Sequence, residues 1–271
     1  MKTLTPIAAA LLFAVSGSVF ADNNEATLFQ TGDGHSAFVD QTGPGTHDND
    51  VLQSQSGTYN NAIAVQSGTE FSHIEQQQSG GHNDAGSFQY GGRLNTSMII
   101  QSGYKNDATS LQVGEQESDA QINQSDYFND AHVSQFFGER NIADINQSGV
   151  HNDADVYQIV AFDNLAMITQ AGLGNDAKVV QVYSSGSEAV IEQDGFGNDA
   201  GIKQSGDDHI ANIVQSDGGK NCADIVQSGT GNFAGVSQIG SYNHAYLSQT
   251  GMGQSILITQ NGNGHSAVVH Q

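Results

Sequence analysis

The chain reads as an all-β protein, a two-sheet parallel β-solenoid with amyloid-like stacking. Three observations predict this. One short phrase, Asn-x-Ala-x-(Val or Ile)-x-Gln followed by a Gly-rich or polar turn, recurs along the chain, as at Asn152 to Gln158 and Asn164 to Gln170. Inside the phrase the constant residues alternate with variable ones, and a period of two puts them all on one face of a strand. The phrase ends on glutamine at 22 positions from Gln30 to Gln271, mostly 11 or 12 residues apart. A period of 22 to 23 residues then holds two strands and two turns, and eleven such coils fill residues 22 to 271 as one domain.

Taken in order, Met1 to Ala21 has the features of a secretory leader. Lys2 gives the charge, Ile7 to Val15 the apolar run, and Val19-Phe20-Ala21 the small-residue cleavage site. The apolar run is too short to span a bilayer, and no later stretch is long enough, so an exported product without membrane insertion is expected. One insertion follows Gln41, where Pro44 belongs to a turn.

The columns then hold register. Six residues before the anchoring Gln, Asn stands in 15 of 22 cases; four before, Ala stands in 18; two before, 17 are Val, Ile or Leu. Ala and Val/Ile are expected to fill a thin core between the sheets, with strand stacked on strand at about 4.8 Å per coil. The early coils depart from this pattern, with Gln53, Ala64, Gln76, Ser87 and Ser110 in place of the aliphatic residue.

An unpaired amide in such a core costs about 1–3 kcal/mol. Amides stacked at the strand spacing can donate and accept along the column instead. The expected ladders are Asn83, Asn106, Asn129, Asn152, Asn175 and Asn198, and Gln89, Gln112, Gln135, Gln158, Gln181 and Gln204, with Gln closing each strand. Asn either joins a ladder, serves the turn, or does both.

Composition excludes several classes. The formal charge of −22, or −23 without a leader that holds Lys2 and no acid, argues against nucleic acid and anionic membranes as partners. One cysteine, Cys222, rules out an internal disulfide framework and any Cys-based zinc site. The ten histidines are scattered, and no His-Glu-x-x-His or Ser/His/Asp grouping appears, so no catalytic residue, cofactor site or metal site is assigned and an enzyme is not expected.

These residues resemble the curlin repeat. Its pattern, Gln-x-Gly-x-x-Asn-x-Ala-x-x-x-Gln, stands here as Gln78 to Gln89 and recurs at Gln101 to Gln112, Gln147 to Gln158, Gln170 to Gln181 and Gln227 to Gln238. The resemblance implies a subunit of a curli-like extracellular functional amyloid fibre, secreted to the cell surface, with roles in biofilm matrix and cell adhesion. It also implies an outer-membrane secretion pore, a nucleator and chaperones as partners besides the protein itself. Two departures from the family pattern are the eleven coils, against about five repeats in major curlins, and the lack of a Gly/Asn-rich export segment before the first strand. Major and minor (nucleator) subunit both stay open, as does a monomeric solenoid adhesin.

One outward column stands apart. Asp84, Asp107, Asp130, Asp153, Asp176 and Asp199 are spaced 23 apart and should stack, each pair repelling by about 0.9 kcal/mol in water. The row is expected to act as an acidic gatekeeper against premature assembly. A cation or proton switch is the alternative, with calcium as the divalent ion such oxygen ligands would take. Beside it, Val65, Phe88, Leu111, Ser134, Tyr157 and Val180 form an outward, mostly apolar stripe, which is either a lateral contact or ordinary strand composition. Open strand edges at the first and last coil are expected to serve as templates for a further strand.

Overall fold

The computed structural model describes residues 23–271; the leader expected at residues 1–21 lies outside them. Twenty-two strands run from β1 (Glu25–Asp33) and β2 (Ser36–Asp40) to β21 (Ser255–Asn261) and β22 (Ser266–His270). Odd-numbered strands form one eleven-stranded sheet and even-numbered strands the other, each in chain order. All pairings are parallel, with anchor on anchor, as Gln135 on Gln158 on Gln181. The two sheets face each other across the constant side chains, so the fold is a two-sheet parallel β-solenoid of eleven coils.

Alternation produces the core. In β12 (Asp153–Phe162), Ala154, Val156 and Gln158 are buried while Asp153, Asp155 and Tyr157 face outward. Ala at the column nearest the corner keeps the sheets close enough for the branched Val and Ile chains to meet. Most strands do not close at the anchor as the phrase suggested, although β9 (Asp119–Gln124) does. β12 continues four residues past Gln158, so coils turn at very short corners. Glycine makes the corners possible: a Cβ on Gly80, at φ +93°, would lie 2.1 Å from the carbonyl oxygen of Gly103 in the next coil.

The core is interrupted near its start. A main apolar cluster extends from Ala85 and Ile99 to Ile258, while Val51, Ala64 and Ile74 form a separate small one. Polar residues separate them. Gln53, in β3 (Asp50–Thr58), donates to Gln76 of β5 (His73–Gly81) at 2.8 Å. Gln76 in turn donates to Ser87 of β6 (Asp84–Arg93) at 3.1 Å. Ser97 of β7 (Thr96–Tyr104) also reaches Ser87 at 3.1 Å, and buried Ser110 of β8 (Asp107–Gln116) has no partner among the described residues.

Each aliphatic side chain replaced here removes about 1.5–3 kcal/mol of burial. Amide hydrogen exchange should therefore show the second to fourth coils, β3 to β8, as the least protected interior coils. Equal protection of these coils and those from Ile122 onward would mean that polar ladders replace aliphatic packing in full.

Candidate functional site

The side chains that stack are the site, and each column bonds differently. The anchoring glutamines form a continuous directional chain. Gln89 Nε2 donates to Gln112 Oε1 at 2.8 Å, followed by Gln112 to Gln135 at 2.8 Å, Gln135 to Gln158 at 2.8 Å, Gln158 to Gln181 at 2.9 Å and Gln181 to Gln204 at 2.9 Å. The other amide hydrogen crosses the core, as from Gln158 to the carbonyl of Ile142 on the facing sheet at 3.1 Å. Every one of these amides is buried. Each glutamine thus ties its coil to the next and one sheet to the other.

The asparagines are laddered through the backbone rather than mainly through each other. Asn152 Oδ1 accepts the main-chain N–H of Asn175 at 3.1 Å, while Asn152 Nδ2 donates to the carbonyl of Ser148, four residues back, at 2.8 Å. Asn83, Asn106, Asn129 and Asn175 repeat both bonds, and Asn198 donates to Asp194 at 3.1 Å. The same side chain therefore closes the turn and joins consecutive coils. His209 does this job where Asn is missing. Its Nε2 donates to Ser205 at 3.1 Å and its Nδ1 faces the N–H of Asn232 at 3.4 Å, which assigns the neutral tautomer from its partners.

The outward aspartates stand in one row. Asp84, Asp107, Asp130, Asp153, Asp176 and Asp199 are direct register partners on successive strands of the even sheet, with Asn61 donating to Asp84 at 2.9 Å at one end and Cys222 at the other. Although these residues face solvent, each carboxylate above and below shields its neighbour from water. Asp107 and Asp153 are both pushed up to about 6, first by this desolvation and then by adjacent aspartates. Asp130, Asp176 and Asp199 are also raised, again chiefly by desolvation. The sequence pointed to repulsion as the cause; loss of water is the larger one.

The carboxylates lie in a line, and among the described residues no group of three or more His, Cys, Asp or Glu is gathered to hold a metal ion. Cys222 ends the row, and burial with Asp199 and Asp224 pushes its thiol up to about 11, leaving it protonated and a poor nucleophile. The apolar stripe is half-buried by its own stacking, and Ser134 within it is fully buried, so it is not a protruding patch. Outward Asp155 pairs with Lys178 at 3.2 Å, and that ammonium lies 4.8 Å from the centre of the Tyr157 ring.

One residue escaped the sequence reading. Glu115 is wholly buried in a corner, accepting from Ser118 Oγ at 2.9 Å and Asn141 Nδ2 at 3.1 Å, and burial raises its pKa. The signal that could have found it is the pair of glycines at the same corner one coil either side, Gly92 and Gly138. A Cβ at Gly138 would approach Glu115 Oε2 to 3.1 Å.

Comparison with known families places these columns. A family model described as the Curlin associated repeat matches residues 21–45, 138–172, 185–216 and 220–251. The chain belongs to the curlin-repeat family. The segment between the first two matches, residues 46–137, contains the polar break in the core and Glu115, where the column pattern is weakest. No curated protein matches the chain. Curlin-repeat proteins are structural rather than catalytic, are extracellular, and belong with the curli assembly system.

Two predictions follow from these contacts. A carboxylate whose folded pKa is raised favours its protonated form in the fold. The aspartate row therefore destabilises the stack at neutral pH, and this penalty fades as pH falls from about 6 toward the ordinary value of 3.8. Buried Glu115 acts in the same direction. Changing Asp107, Asp130, Asp153 and Asp176 to Asn should raise stability at pH 7.5 and flatten its dependence between pH 4 and 6, as read by denaturant midpoints; an unchanged profile would mean the row is well solvated.

The second concerns the two faces of one strand. Changing Asn152 and Gln158 to Leu strands the amides of Gln135 and Gln181 and should cost about 2 kcal/mol or more. Changing Asp155 and Tyr157 to Ser removes only half-buried contacts on the outer face and should cost less than about 1 kcal/mol. Equal losses in the same denaturation assay would overturn the assignment of faces.

Proposed function

We propose that the chain is a structural subunit of an extracellular, curli-type amyloid fibre that polymerises end to end and serves biofilm matrix and cell adhesion. One observation carries this reading. Both sheets finish on open edge strands, β1 and β2 at one end and β21 and β22 at the other, and no helix covers them among the described residues. An open parallel edge with in-register amide columns is a template for the next strand. The acidic row fits a gatekeeper that slows stacking at neutral pH and keeps the subunit apart until nucleated. Secretion through an outer-membrane pore, with chaperones and a nucleator, is the route that the curli assembly system supports.

Negative-stain microscopy and fibre diffraction of purified protein after a day at pH 7 test the reading. Unbranched fibrils with a reflection at about 4.7–4.8 Å along the axis are expected. Persistent monomers would favour a solenoid adhesin instead, and fibres that appear only when seeded by a second protein's surface would identify a subunit dependent on its nucleator.

A further inference from the structure

The first and last coils match each other better than either matches the coil beside it. The corner joining β1 to β2 contains Gly32-Asp33-Gly34-His35-Ser36-Ala37, and the corner joining β21 to β22 contains Gly262-Asn263-Gly264-His265-Ser266-Ala267. Their backbones agree, with φ of +121° and +71° at Gly32 and Gly34 and of +123° and +70° at Gly262 and Gly264. In both coils the two anchors, Gln30 and Gln41 or Gln260 and Gln271, are 11 residues apart. One placement therefore sets Gln30 on Gln260 and Gln41 on Gln271 at once.

The hydrogen-bonding inventory of the two ends is complementary. From Gln30 to Gln238 and from Gln41 to Gln227 each Gln Nε2 donates toward the C-terminal coil; Gln260 receives Gln238 at 2.8 Å and donates one N–H to the carbonyl of His244 at 2.9 Å, which leaves its second N–H to point onward. At the other end Gln30 donates to Gln55 at 2.7 Å and its Oε1 has no donor among the described residues. In the Asn column, the last two acceptors are Gln254 and His265. Gln254 bonds back to Thr250 at 3.2 Å as an Asn would, and its buried Oε1 has no partner. His265 Nε2 bonds back to Asn261 at 3.0 Å. At His35 and His209 the corresponding Nδ1 faces the N–H of the next coil, from Asn60 at 3.2 Å and Asn232 at 3.4 Å. The Nδ1 of His265 has no such donor among the described residues.

We propose that the C-terminal coil seats the N-terminal coil of a second copy in this one register, and that His265 must be neutral for the joint to close, because its Nδ1 accepts the main-chain N–H of His35. The inference rests on the fibre reading and adds to it the residues of the joint and their proton sensitivity. In this register Glu25 lies over Ser255, Asp33 over Asn263 and Asp40 over His270, so no acid meets an acid in a chain of net charge −22. Exposed Phe38 and Val268 cover each other, and Leu28 and Val39 close over Ile258 and Val269. The titratable groups facing His265 are His244 in the coil below, whose N–H bonds its carbonyl at 2.7 Å, and His35 and Asp33 of the next copy; β21, opposite, carries no charge. A protonated imidazole presents N–H on both nitrogens and meets the incoming N–H donor to donor.

Seeded elongation of the full chain tests this, with wild type and His265→Asn compared at pH 7.5 and 5.5. The aspartate row, Glu115 and the Asp40–His270 contact are common to both proteins and cancel in the ratio of their rates. The ratio of wild type to variant should fall severalfold from pH 7.5 to 5.5, across the range in which imidazoles change charge; a flat ratio overturns the role of His265. A second variant checks the register without relying on rates. Phe38→Cys with Val268→Cys, in a Cys222→Ser background, should give intermolecular disulfides on oxidation of grown fibres. Fibres that yield no such links overturn the joint and leave the fibre reading standing, whereas absence of fibres in every protein overturns both.

Discussion

A side-chain amide that leaves water has to find a donor and an acceptor, and here two of the four inward columns, Asn and Gln, consist mainly of amides. The glutamine column solves this with two bonds per residue, one along the rod and one across it. That pair of bonds fixes two dimensions together. The axial bond requires coils at the strand spacing and in register; the transverse bond requires the facing sheet to stay within reach of one side chain. Ala beside each corner and Gly within it follow from the same demand, because a larger residue at either place would separate what the amide has to join.

The fold was legible because two periods coincide. A period of two set the inward face, and a period of 22 to 23 stacked like on like, so Ala154, Val156 and Gln158 could be placed in the core from spacing alone. The acidic row was legible for the same reason. What the pattern did not show depends on where the backbone turns its own polar groups. The continuation of β12 beyond Gln158 and the bond from each Asn to the N–H of the next coil are set by main-chain groups at the corners, and the burial of Glu115 by corner side chains from its own and the next coil, Ser118 and Asn141. The weight of desolvation over repulsion at Asp107 and Asp153 likewise needs the neighbours' positions, which residue types do not convey.

The corner histidines illustrate how a repeat tolerates change. His209 has little in common with Asn in size, yet it offers an acceptor on one side and a donor on the other at the same place, and it is fully buried without losing either bond. Ser118 and Ser187 fill the same column with a smaller hydroxyl that can accept the next N–H, as at 3.1 Å from Asn141 and 3.2 Å from His209. The column thus selects a pattern of lone pair and proton more than a residue.

The one-way run of glutamines also has an electrical consequence. Main-chain N–H and C=O groups along a strand point alternately up and down the stack, so their dipoles nearly cancel. The glutamine amides do not alternate: from Gln30 to Gln238 in one sheet and from Gln41 to Gln227 in the other, one N–H of every anchoring glutamine points toward the C-terminal coil. Aligned dipoles add, as they do in a helix. In the asparagine columns the carbonyl oxygen, not the N–H, is aimed at the main chain of the next coil, as from Asn152 Oδ1 to the N–H of Asn175, so the one-way polarity of the rod resides in its glutamine columns.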